Sequence, residues 1–165
     1  MGVGARAILC SVAVSSLLSV GGAAGGTARP GIALGHRIGP VRLGEPRAQI
    51  EGDSGRGVAV RLDGQEFWLY PNVQIYVLYA PGPVTRFNEV AFSVVTHSAR
   101  YKTGSGVGVG SSLRALRRHV GVKCHRGNPI VCKHKATNTA LPFTAFDVDR
   151  KTRRVTTVAI VPGGS

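Results

Sequence analysis

The chain is short of acid. Of its 165 residues only 8 are Asp or Glu, against 21 Lys or Arg. Beyond residue 100 only Asp147 and Asp149 remain. They fall at the end of a strand pattern and in the turn after it, where a solvated role is ordinary. Carboxylates two apart share a strand face, so paired acid/base work is geometrically open at this one place. Aromatics make up 6% of the chain, and the basic half carries neither interleaved aromatics nor a recognised nucleic-acid motif, so sequence-specific nucleic-acid binding is not expected. The five histidines, His36, His97, His119, His125 and His134, show no paired metal-ligand spacing. No Gly-x-Ser-x-Gly elbow occurs. The glycine run Gly104–Gly110 lacks the Walker lysine, because Ser111 follows Gly110. It also lacks the acidic residue about 20 positions on that a dinucleotide fingerprint needs; the segment Cys124–Cys132 stands there instead. Turn and packing roles suffice for these glycines. No cofactor and no metal are expected, and the reading is non-enzymatic. A secreted hydrolase-type enzyme with a site of unfamiliar pattern is the alternative.

Long apolar runs are also scarce. Ala7–Val20 is 14 residues, and a membrane span needs about 20. Arg6 before it and the small residues Gly21–Ala28 after it give the layout of a cleaved secretory signal over residues 1–28. The expected location is therefore secreted, extracellular or associated with the cell wall, with no transmembrane span left after cleavage. Removal of the signal takes Cys10 and leaves Cys124 and Cys132. In an oxidising compartment two cysteines at this spacing read as a disulfide. A zinc site using His125 and His134 would match no common ligand spacing.

What the chain does have is one-sided positive charge. Residues 29–99 carry 7 Lys or Arg against 6 Asp or Glu, a net of +1; residues 100–165 carry 13 against 2, a net of +11. Arg114, Arg117 and Arg118 fall on one helical pattern. Lys123, Arg126, Lys133 and Lys135 surround the cysteine loop. Arg150, Lys151, Arg153 and Arg154 surround a final turn. A surface of this sign is either simply a soluble basic face or implies anionic company, whether nucleic acid, a wall polymer, anionic lipid or an acidic protein; a protein or an anionic cell-envelope polymer is the expected partner. Arg114, Arg118, Lys133, Arg153 and Arg154 are the candidate contacts. Trp68, in the aromatic knot Phe67–Tyr70, is either sheet core or an anchor for a protein interface.

A local pattern occurs twice. Val41-Arg42-Leu43-Gly44 and Val107-Gly108-Val109-Gly110 both give apolar-x-apolar-Gly, and an apolar residue follows six positions later at Ile50 and Leu116. Val90–Val95 and Val155–Ile160 lie 46 and 45 residues after the two glycines. Fixed-period similarity predicts two homologous units, residues 29–101 and 102–165. Pro46 suits the start of a short helix ending near Gly52. Strands are expected at Val58–Leu62 and Phe67–Tyr70 around an Asp63-Gly64 turn, then at Val73–Tyr79 and Asn88–Thr96. In the second unit Leu113, Leu116 and Val120 form an apolar helical stripe. Ser111 or Ser112 can cap that helix and Gly121 can end it. Arg114 and Arg118 point outward, one turn apart. Strands follow at Val122–Cys124, Ile130–Lys133, Phe143–Val148 and Val155–Val161. The predicted class is α+β, each unit a short helix followed by an antiparallel sheet of three to four strands.

This layout, carried by Leu43-Gly44, Gly108-Val109-Gly110-Ser111-Ser112-Leu113 and Arg154-Val155, resembles the secreted β-lactamase inhibitory proteins. It is also similar to the small lipoprotein domain of outer-membrane assembly machinery, and to secreted actinobacterial proteins bearing Gly-Val-Gly-Ser-Ser-Leu-x-x-Leu. The resemblance covers most of residues 38–161 by pattern rather than identity. It implies a helix-plus-sheet fold and an interaction role. The chain departs from the inhibitors in having one candidate disulfide rather than one per unit and few aromatics, and no inhibitory-loop residue can be carried over. A purely structural envelope component is the third possibility. The expected function is that of a secreted, non-enzymatic interaction protein acting through its basic C-terminal half.

Overall fold

The structure is a computed structural model and describes residues 31–62, 64–82, 89–134 and 140–163. The expected signal over residues 1–28, and the residues Asp63 and Lys135, lie outside the described residues. Alternation of apolar and polar residues dominates the chain, and strands follow from it. A small sheet opens the fold: β1 (Ile32–Ala33), β2 (Arg37–Ile38) and β3 (Val41–Arg42). Helix α1 (Arg47–Ser54) leads into β4 (Val58–Leu62), β5 (Gln65–Tyr70), β6 (Ile75–Pro81) and β7 (Glu89–Thr96). Helix α2 (Leu113–Val120) leads into β8 (Val122–His125), β9 (Ile130–His134), β10 (Phe143–Val148) and β11 (Val155–Val161).

The eight long strands form one antiparallel sheet in the order β4-β5-β6-β7-β11-β10-β9-β8. This corrects the expected α+β pair of helix-plus-sheet units. The protein is mostly β, with half its described residues in strands and 13% in helix. The join is β7 against β11, with Val94 opposite Ile160, Val95 opposite Ala159 and Thr96 opposite Val158. The physical reason is edge pairing. Val90–Thr96 and Val155–Val161 are apolar strands, and either one left as an edge would expose a row of unpaired backbone groups. Paired, they also let one core replace two small ones that could bury little surface alone.

The small sheet joins the core as well: its Ile32, Ile38 and Val41 are buried there. The small sheet is tied in place by backbone bonds from Ile32 N to Lys102 O and from Gly44 N to the Ala91 carbonyl of β7. Val73, expected in a strand, lies instead in a turn before β6, where Gln74 takes a left-handed φ of 54°.

One face of the sheet is dry. Tyr70, Ile75, Val77, Val94, Cys132, Phe146, Val148, Val158 and Ile160 point into a single core. Both helices add to it from the same side, α1 through Ile50 and α2 through Leu113, Leu116 and Val120. No helix among the described residues is long and apolar enough to cross a membrane.

Candidate anion-binding site

The site begins with α2. Three apolar side chains at i, i+3 and i+7 bury against the core, so the remaining positions face outward. Ser112 caps the helix, its hydroxyl accepting from the Ala115 N–H at 3.2 Å. Gly121 ends it in a left-handed conformation, φ 68°. Arg114, Arg117 and Arg118 are exposed on the outward faces. The first turn holds no acidic residue, so Arg114 stands near the positive end of the helix dipole, an arrangement that an arriving anion relieves.

The turn between β10 and β11 is stapled beside that helix by main-chain bonds. Gly110 N donates to Val155 O at 2.8 Å, Leu113 N to Arg153 O at 2.8 Å, and Val155 N to Ser111 O at 2.9 Å. Gly110, at φ 86°, supplies the left-handed step that lets the chain turn into this pairing. The turn itself is closed by Asp149. Its carbonyl accepts from Arg153 N at 2.9 Å, and its carboxylate accepts from Thr152 N at 2.6 Å. The Thr152 backbone N–H is the main reason the Asp149 carboxyl is held below the ordinary carboxylate range. Arg153 is left-handed, φ 58°, a conformation that disfavours side chains with a Cβ.

The consequence is convergence. Arg114, Arg117 and Arg118 of α2 and Arg153 and Arg154 of the turn line one open cavity of about 670 Å³. Arg154 is steadied by donating from Nη1 to Gly110 O at 2.8 Å. Among the described residues no carboxylate pairs with any of the five; the two ion pairs present both belong to Arg47, with Glu51 and Glu89. Arginine binds carboxylate or phosphate through a planar fork of donors and stays charged at any physiological pH. The arrangement can hold an anion.

The structure thus brings together four of the five expected contacts, Arg114, Arg118, Arg153 and Arg154. It does not bring Lys133 to them. Lys133 follows the buried Cys132 on β9 and therefore stands on the opposite face of the sheet, beside Lys123 on the paired strand, with its ammonium 5.0 Å from the Phe143 ring. Trp68 is half-buried on the helix side, under the Arg47 guanidinium at 3.3 Å from the ring centroid. Arg47, bonded to Glu51 and Glu89, thereby fastens α1 to the sheet. Cys124 and Cys132 are bonded as a disulfide across the paired positions of β8 and β9.

The two C-terminal carboxylates have different surroundings. Asp149 closes its turn. Asp147 is half-buried on β10, where desolvation raises its carboxyl above the ordinary range and nearby His97 partly offsets this. The left-handed backbone at Arg153 had no signal in the sequence, since Lys151-Thr152-Arg153-Arg154 contains no glycine to mark it.

No family profile matches the chain, and no curated protein matches it. Among solved structures it is similar to a cysteine-rich secretory protein from Staphylococcus aureus subsp. aureus Mu50, at 11% identity and a TM-score of 0.43. The match covers 73% of this chain and 44% of that one.

Proposed function

We propose that this is an exported, non-enzymatic binding protein that holds an anionic partner, a protein or a cell-envelope polymer, against the surface built by α2 and the β10–β11 turn. The observation that carries the proposal is the meeting of five arginines from two separate elements around one cavity with no pairing carboxylate among the described residues. Such uncompensated charge destabilises the fold through self-repulsion, and a bound anion offsets that cost. The Cys124–Cys132 disulfide supports export, because such bonds persist in oxidising compartments.

The test is binding to an anionic polymer, followed from low to physiological ionic strength. The affinity should fall steeply with salt. Replacing Arg114→Glu and Arg118→Glu together should weaken binding further and leave the fold intact, since both side chains are exposed and off the buried stripe. Salt-indifferent binding, or wild-type affinity in the double variant, would refute the proposal.

A further inference from the structure

A second basic cavity adjoins the first. It measures about 600 Å³ and is lined by Arg117, Arg126, Arg150 and Arg153, with His125 of the disulfide loop. Arg117 and Arg153 line both cavities. The two therefore adjoin at these side chains, and seven arginines from three elements border the pair. We propose that the pair forms one channel for a linear polymer of repeating phosphate groups, which passes through both cavities and is gripped at their junction by Arg117 and Arg153. The proposal rests on the anion-binding reading above and names its ligand class.

Three features point to a chain of phosphates rather than to a single ion or to nucleic acid. The first is size. A water molecule in the liquid takes about 30 Å³, so either cavity could hold a lone phosphate ion many times over, and one ion would leave most of the guanidinium groups unpaired. The second is chemistry. Among the described residues every Lys or Arg side chain lining the two cavities is arginine, whose donor fork matches phosphate oxygens in pairs. The third is what does not line it. Among the described residues no Phe, Tyr or Trp borders either cavity, so these offer bases none of the stacking platforms by which single-stranded nucleic acids are held. The walls are also set before any ligand arrives. The disulfide fixes the loop that carries Arg126, and the Gly110, Leu113 and Val155 amide bonds fix the turn that carries Arg153. Preorganisation lowers the ordering cost of binding.

The experiment is calorimetric titration with long-chain inorganic polyphosphate over a range of salt. Two paired variants are compared: Arg114→Gln with Arg118→Gln in the first cavity, and Arg126→Gln with Arg150→Gln in the second. Glutamine keeps a polar stem at these exposed positions, and circular dichroism verifies the fold. Each pair should lower the slope of log affinity against log salt by about two, one unit per lost phosphate contact. A second-cavity pair that leaves both affinity and slope unchanged would overturn the threaded chain while leaving the anion-binding reading in place. Inorganic phosphate competing as well as the polymer, at equal phosphate-group concentration, would do the same. Duplex DNA or an acidic peptide of matched charge binding more tightly than polyphosphate would overturn the ligand class. No salt-dependent binding of any of these probes would remove both readings.

Discussion

Replacing Arg153 with glycine should strengthen the fold and weaken binding in the same molecule. The backbone there sits at φ 58°, which costs a residue with a Cβ about 1–2 kcal/mol. Glycine avoids that cost but loses roughly 0.5–1 kcal/mol through its freer unfolded chain. The net gain spans about 0–1.5 kcal/mol and is about 0.75 kcal/mol at the midpoints of these ranges, or a rise in melting temperature of roughly 2–5 °C for a domain of this size. The bonds from Arg153 N to Asp149 O and from Leu113 N to Arg153 O are main-chain bonds and survive the change. The comparison that isolates the backbone is Arg153→Ala, which loses the same charge and keeps the strained φ. Both variants should lower the salt slope of polyanion binding by about one. The charge change is common to both, so the glycine variant should be the more stable of the two, by urea or thermal unfolding. Equal stabilities for glycine and alanine would show that the turn is not held left-handed. An unchanged salt slope in both would take Arg153 out of the binding surface.

Other outcomes follow from the same structure. Replacing Cys124 and Cys132 together with serine should cost about 2–3 kcal/mol on the chain-entropy account, read by denaturant unfolding; the wild type without reductant should show no alkylatable thiol at either position. Leu116→Ala should cost about 2–5 kcal/mol, because Leu116 is fully buried under α2, whereas Arg118→Ala should change stability by less than about 0.5 kcal/mol. Asp149 should titrate by NMR below its unfolded value of about 3.9. Its folded pKa is depressed, so its support of the turn is complete above that value and is lost as pH falls through the folded midpoint; a midpoint at or above the unfolded value would contradict the carboxylate bond to Thr152 N.

Local chemistry was legible in the sequence by itself. The α2 stripe, its Ser112 cap and its Gly121 stop depend on neighbours within a few positions, so periodicity and capping rules reach them. The same holds for the β4–β5 and β10–β11 hairpins and for the Cys124–Cys132 bridge, whose ends lie eight residues apart. The strongly basic second half was likewise plain from composition. Only the tertiary structure decided what depended on distant partners. Pairing of β7 with β11 made one sheet where two were expected, because a strand pattern shows that an edge exists without showing what covers it. Burial of Ile32, Ile38 and Val41 made the glycine-rich stretch after residue 30 part of the core. Alternation along β9 sent Lys133 to the far face, while the main-chain staple between Gly110–Leu113 and Arg153–Val155 carried Arg153 and Arg154 to Arg114 and Arg118. Charge count is a property of the chain. Whether like charges gather on one surface is set by backbone hydrogen bonds between residues some forty positions apart, and no local pattern encodes those.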